Sequence, residues 1–148
     1  MASTPRQTRC LCATVRRAGR LLTRRYEEAL QPAGITVSQF ELMMTLRAAQ
    51  PIGQTALASL LDIDQTTLSR NIKVLLRERW IEESAAAQDA RRRSYSLSKL
   101  GAEVLAEASR CWQRVHDEMA RVLPMTGLWP TLDRITEAAR DPSRSEVP

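Results

Sequence analysis

Asp64-Gln65-Thr66-Thr67-Leu68-Ser69-Arg70-Asn71-Ile72-Lys73-Val74-Leu75-Leu76-Arg77 is the stretch on which the fold turns. Leu68, Ile72, Leu75 and Leu76 recur at i, i+4, i+7 and i+8, the spacing that gathers apolar side chains on one face of an α-helix. Asp64 stands where an N-cap belongs, its carboxylate able to take an N–H of the first turn. The opposite face carries Gln65, Thr66, Ser69, Arg70, Lys73 and Arg77, short hydrogen-bonding side chains first and cations farther along. Such a helix is suited to a groove that presents hydrogen-bonding edges between anionic walls.

Immediately upstream, Gln54 to Leu61 reads as a short helix with Leu57, Ala58, Leu60 and Leu61 apolar, and the polar turn Asp62-Ile63-Asp64 separates it from the stretch above. Two short helices joined by a tight polar turn predict a helix-turn-helix. A further helix precedes them, with Thr36 or Ser38 as cap and Phe40, Met43, Met44 and Leu46 on its apolar side, ending at Gln50-Pro51-Ile52-Gly53. The first long helix runs from about Cys10 to Leu30 with Leu11, Val15, Ala18, Leu22 and Ala29 on one face and Arg16, Arg17, Arg20, Arg24 and Arg25 on the other. Gln31-Pro32-Ala33-Gly34 stops it.

Downstream, Trp80 to Ser84 and Ser94 to Leu97 read as two short strands around a loop holding Asp89-Ala90-Arg91-Arg92-Arg93, a hairpin with a basic tip. Ser98 is placed to cap a long helix reaching about Leu123. Its Val104, Ala108, Cys111, Val115, Met119 and Val122 alternate at four and three residues, as in a coiled-coil seam. Trp129-Pro130 is read as opening a last helix to about Ala139. Residues 1–9 are expected to be a flexible N-terminus and 141–148 a disordered tail. The predicted class is mainly α: a winged helix-turn-helix lobe with a two-stranded wing, and a helical region built from the N- and C-terminal helices.

Composition agrees with a compact fold. The chain has 148 residues, 43% hydrophobic and 26% charged, which excludes a disordered or collagen-like polymer. Lys and Arg number 22 against 17 for Asp and Glu, a formal charge of +5, and only Lys73 and Lys99 are lysines. An excess carried by arginine fits an anionic partner such as phosphate. No apolar run approaches the ~20 residues needed to span a bilayer, and the N-terminus lacks the apolar core of a signal peptide, so no membrane role and a cytoplasmic location are expected. Three cysteines in a chain of that location do not suggest a disulfide framework.

The recognition-like run Thr66-Thr67-Leu68-Ser69-Arg70, the later Asp89-Ala90-Arg91 and the Leu97-Ser98-Lys99-Leu100-Gly101 that opens the long helix together resemble the MarR family of bacterial transcription regulators, over about Leu11 to Ala139. The resemblance implies one domain over 10–140. Residues 36–97 would form the winged helix-turn-helix, and 10–34 with 98–140 would form a dimerisation region. It further implies a homodimer that sets two recognition helices in successive major grooves of double-stranded DNA at a pseudo-palindromic operator. Gln65, Thr66, Ser69 and Arg70 are then candidates for base edges and nearby phosphates, and Lys73 for the backbone. Arg91 matches the minor-groove arginine of the wing, Asp89 the acid that orients it, and Arg92 and Arg93 are candidates for phosphate. A polar helix face on its own is more often simply solvated; the adjoining turn and wing favour the DNA reading.

The signal is less sharply drawn. Leu11-Cys12, with Arg20 eight residues on, resembles the first helix of organic hydroperoxide sensors in that family, which makes Cys12, and with it Cys10, a candidate redox sensor among nearby arginines. Arg16 and Val37 stand where those sensors have tyrosines. The family's other mode, a small aromatic or anionic effector, makes Arg20, Phe40, Met44, Trp112 and His116 candidate pocket residues. Thiophilic metal binding by Cys10, Cys12 and Cys111 competes with plain interface packing, which is favoured; no metal and no cofactor are expected. An enzyme is not expected either: His116 lies beside Asp117 and Glu118 without a nucleophile motif, and no glycine-rich phosphate loop exists. A helical protein-interaction adaptor or antirepressor that has lost DNA binding stays open as the competing class.

Overall fold

The computed structural model describes residues 10–86 and 89–140, without the side chains of Ala86 and of Asp89 to Arg92. The expectations for the two ends, 1–9 and 141–148, lie outside the described residues. In order come α1 (Leu11–Leu30), a 3-10 turn (Gln31–Ala33), α2 (Val37–Ala49), β1 (Ile52–Gly53), α3 (Gln54–Leu61), α4 (Gln65–Arg77), β2 (Ile81–Ala86), β3 (Asp89–Leu97), α5 (Lys99–Val122) and α6 (Met125–Arg140). The chain is mainly helical with a small antiparallel sheet, as the sequence predicts. Two compact units divide it after Trp112.

In the first unit the core gathers Leu30, Ile35, Phe40, Leu42, Met43, Leu46, Leu57, Leu68, Ile72, Leu75, Ile81, Tyr95, Leu105 and Ala108. Leu42 is buried as completely as Leu46, although the sequence periodicity of α2 omits it; this helix buries more than one face. The start of α2 is tied three ways. Thr36 Oγ1 accepts from the Gln39 N–H at 3.2 Å, Gln39 Oε1 accepts from the Thr36 N–H at 2.9 Å, and Glu27 Oε1, on α1, accepts from the Val37 N–H at 2.9 Å. The first two contacts form a capping box, which decides between Thr36 and Ser38 as cap.

The wing has three strands, not two, in the order β1-β3-β2. Ile52 and Gly53 pair with Tyr95 and Ser94, so the residues read as the end of α2 also supply a short edge strand. Gln50 Oε1 accepts from the Leu97 N–H at 2.7 Å and fastens the same edge. The hairpin is also longer than its side-chain pattern suggests: β2 and β3 pair from Ile81↔Leu97 to Ala85↔Arg93, then shift register to Ala86↔Asp89. Asp89 to Arg93 therefore belongs to a strand and not to the loop. A run of arginines has no in–out alternation to betray a strand, and backbone pairing supplies what the pattern lacks.

The end of α4 and the start of α5 are locked together. Arg79 adopts a left-handed backbone, φ 58°. Its N–H bonds the Leu76 carbonyl at 3.0 Å while the Trp80 N–H bonds that of Leu75 at 2.9 Å, a Schellman ending. Ser98 then bridges the ends of the two helices. Its hydroxyl donates to the Arg79 carbonyl at 2.7 Å and accepts from the Gly101 N–H at 2.9 Å, and its own N–H bonds the Trp80 carbonyl at 3.0 Å. A Cβ on Gly101 would fall on the Trp80 carbonyl, 2.7 Å from its carbon and 3.0 Å from Cα. The glycine is required by this close approach of two backbones.

The second unit holds the end of α5 and all of α6. Val115 is buried there, and His116 stacks on Trp129 with ring centroids 6.4 Å apart. The last helix begins at Met125, a turn before the expected Trp129-Pro130, with Pro130 inside it. Proline reads as a helix start because its missing N–H is harmless in the first turn, but here the Gly127 and Leu128 N–H groups already bond the Pro124 carbonyl at 3.0 and 3.1 Å.

Two substitutions at the α4–α5 junction are expected to act in opposite directions in urea unfolding followed by circular dichroism. Gly101→Ala should cost at least about 3 kcal/mol, since backbone cannot move aside as a side chain can. Arg79→Gly, which relieves a left-handed non-glycine residue, should gain about 0.5 kcal/mol.

Candidate nucleic-acid interface

The helix-turn-helix forms from α3, the turn Asp62-Ile63-Asp64 and α4. Asp62 turns the chain with φ 51°, a left-handed conformation that Asp tolerates better than most residues, and the Ile63 N–H bonds the Ala58 carbonyl at 3.2 Å. Asp64 caps α4 as its position predicts. Its Oδ1 accepts from the Thr67 N–H at 2.9 Å and its Oδ2 from the Thr67 hydroxyl at 2.6 Å. These contacts hold the carboxyl below its ordinary value of 3.8, the Thr67 hydroxyl contributing most.

On α4, Leu68, Ile72 and Leu75 are buried, which fixes the helix's rotation. Gln65, Thr66, Arg70 and Lys73 are consequently exposed along one face, and Ser69 is half-buried beside them. The face assembles from five of the side chains that the sequence singles out. Gln54 joins them from the first turn of α3: its Nε2 donates to Gln65 Oε1 at 3.2 Å. That contact links residues eleven positions apart, and no sequence spacing announces it.

On the wing, Arg93 is exposed and forms an ion pair with Glu83. Glu83 faces Tyr95 across the ladder, so the pair is the diagonal one that long side chains can reach. Burial, and then the Glu83 charge, push the Tyr95 hydroxyl above its ordinary range, with Arg93 acting the other way. Ser84 and Ser94 hydroxyls meet at 3.0 Å beneath them. Arg91 and Arg92 lie on β3 and Asp89 opens it; their side chains are outside the described residues.

Of the candidate sensor and pocket residues the structure brings Phe40 and Trp112 together. Cys10 and Cys12 are exposed at the start of α1, and Cys111 is half-buried on α5. Arg20 lines an open groove of about 560 Å³ with Arg16, Gly19, Thr23 and Arg24. Phe40 is buried and stacks on Trp112 at 6.1 Å, and Trp112 also stacks on Tyr26 at 6.5 Å. Half-buried Met44 accepts from Arg47 at its sulfur, 3.1 Å away. His116 belongs to the second unit. Among the described residues no group of three or more His, Cys, Asp or Glu is placed to hold a metal, and no helix is long and apolar enough to cross a membrane.

Residues 35–92 match the MarR family. The chain is similar to the HTH-type transcriptional regulator YwoH of Bacillus subtilis, 26% identical over 113 residues, 76% of this chain and 77% of that protein. It is also similar to the multiple antibiotic resistance protein MarR of Salmonella typhimurium, 30% identical over 95 residues, 64% of this chain and 66% of that protein. Among solved structures, the M. tuberculosis transcriptional regulator MosR in complex with DNA is similar at 30% identity and a TM-score of 0.76, over 90% of this chain and 100% of that one.

The Asp64 cap predicts an acid signature. With its folded pKa lowered, its contribution is complete above the ordinary Asp pKa and is lost as pH falls through the folded value. Asp64→Asn keeps a capping oxygen without the titration. Its urea midpoint should therefore fall less than wild type's between about pH 4 and pH 2; parallel curves would show that the carboxylate is not held in this way.

Proposed function

Because the chain belongs to the MarR family of transcription regulators, which are not enzymes, we propose that it is a sequence-specific repressor that binds a pseudo-palindromic operator in double-stranded DNA as a homodimer in the cytoplasm. The observation that carries this is the exposed face of α4: Gln65, Thr66, Arg70 and Lys73 stand clear of a core that fixes the helix's rotation. Gln65, Thr66, Ser69 and Arg70 read base edges and nearby phosphates, and Lys73 holds the backbone. Arg91 enters the minor groove supported by Asp89, and Arg92 and Arg93 meet phosphates. MosR, whose fold this chain shares along its length, has been solved on DNA.

Dimerisation is supported by apolar surface. Leu11 is 61% exposed and Leu21 60% on α1, and Trp129 is 51% exposed on α6. Both helices assigned to pairing thus carry exposed apolar side chains, which a second copy would cover. The domain plan follows: 36–97 contacts DNA, and 10–34 with 98–140 pairs two copies. Light scattering at micromolar concentration should give twice the chain's 16.7 kDa.

Release from DNA is assigned to a small ligand or to cysteine oxidation. The exposed thiols of Cys10 and Cys12 favour oxidation. In that step the Cys12 thiolate attacks the terminal oxygen of a hydroperoxide, the O–O bond breaks, the sulfur becomes a sulfenic acid and the alkoxide leaves, taking a proton from water to become the alcohol. For a small aromatic or anionic effector that prefers one spacing of the recognition helices, the groove beside Arg20, lined also by Arg16 and Arg24, supports the anionic choice.

The test is fluorescence anisotropy with DNA from upstream of the chain's own gene. Affinity should fall at least about a hundredfold between roughly 50 and 200 mM salt through counterion release. Arg91→Ala should weaken operator binding about tenfold or more. An organic hydroperoxide should abolish binding in wild type and not in Cys12→Ser; indifference to oxidation assigns release to the ligand. No salt-sensitive binding to this or to pooled genomic DNA would put the adaptor reading in its place.

A further inference from the structure

We infer that Gln54 is a positioning residue for base reading: it fixes the Gln65 side-chain amide so that Gln65 presents a donor, and not an acceptor, to the DNA. The inference rests on the DNA-binding reading of α4. Gln54 opens α3 and Gln65 opens α4, so the two side chains meet across the helix-turn-helix at the end that carries the candidate base contacts. Gln54 Nε2 donates to Gln65 Oε1 at 3.2 Å.

A free glutamine has no preferred face. Its amide offers an oxygen and an NH2 group, and a half-turn about the last torsion exchanges them. An exposed Gln65 alone could read adenine with both groups, guanine or thymine with the NH2, or cytosine with the oxygen. The bond from Gln54 removes that freedom by turning the Gln65 oxygen back toward α3, which leaves the NH2 for the groove. The edges that suit two N–H donors are guanine N7 and O6; thymine O4 and adenine N7 each offer one acceptor, and cytosine, whose N4 is itself a donor, is rejected. Gln54 is half-buried at the first turn of α3.

The backbone of α3 supplies the geometry that makes this possible. Asp62 turns the chain so that α4 departs with its first residue beside the first residue of α3. Neither glutamine carries charge, so the device acts on which base is chosen and leaves the electrostatic attraction to phosphate to Arg70, Lys73 and the wing.

The experiment is selection of bound sequences from a randomised duplex library by wild type, Gln54→Ala, Gln54→Glu, Gln65→Ala and the Gln54→Ala/Gln65→Ala double variant. Wild type should favour guanine and disfavour cytosine at the position in each half-site whose preference disappears in Gln65→Ala. Gln54→Ala should relax that same position roughly three- to tenfold while its salt slope matches wild type. The double variant should look like Gln65→Ala alone, because Gln54 acts only through Gln65. Gln54→Glu can only accept, so it should reverse the amide and move the preference away from guanine and toward cytosine. An unchanged position in both Gln54 variants, or a uniform loss over all sequences, would overturn the inference while leaving DNA reading intact. A wild type that enriches no sequence would remove the DNA-binding reading and this one with it.

Discussion

Two backbones approach each other at Trp80 and Gly101 more closely than any side chain would allow, and the joining of the helix-turn-helix, the wing and the start of α5 depends on that contact. The end of α4 and the start of α5 are stitched by one serine, whose hydroxyl serves Arg79 and Gly101 at once. The strands β2 and β3 leave and return at the same place, Ile81 opposite Leu97. The recognition-type helix, the wing and the long helix therefore share one anchor. Its cost is a left-handed arginine at position 79 and the entropy of a glycine inside a helix. Both are tolerated because every polar group at the junction named above is paired.

From that anchor the exposed face of α4 follows as a matter of rotation. Leu68, Ile72 and Leu75 are drawn into a core shared with α2, α3 and the sheet, and what remains outward is the sequence Gln65, Thr66, Arg70, Lys73. Asp64 closes the helix with its carboxylate committed to Thr67, so the acid nearest that face is occupied within the protein. On the wing Glu83 does the same for Arg93, holding a flexible cation in one diagonal across the ladder. Asp64 and Glu83 thus serve as supports within the protein.

The candidate site was partly legible. Five residues on one helix share a face because 3.6 residues per turn bring them there, and Asp64 signals a start by its chemistry alone. The basic run Asp89 to Arg93 was visible as a charge feature but not as a strand, since its pairing depends on β2 and not on its own pattern. Gln54 was invisible: a polar residue at the start of a short helix becomes informative only when the turn lays it beside Gln65. Phe40 and Trp112 read as candidate ligand contacts, and the fold places them in a stack with Tyr26.

The sequence by itself determined whatever rests on local periodicity and capping: the helices α1 to α5, the turn between α3 and α4, the hairpin, the cap residues Asp64 and Ser98, and the arginine-rich outward faces. These depend on interactions within a few residues, which the order of residues specifies directly. Tertiary structure alone decided the third strand at Ile52 and Gly53, the full length of the wing, the start of α6 ahead of Pro130, the reason for Gly101 and the partnership of Gln54 with Gln65. A two-residue strand has no period to read, and a glycine or glutamine does not reveal what will be brought within three ångströms of it. Those features exist because chain segments remote in sequence meet, and only the packing of the core determines which ones do.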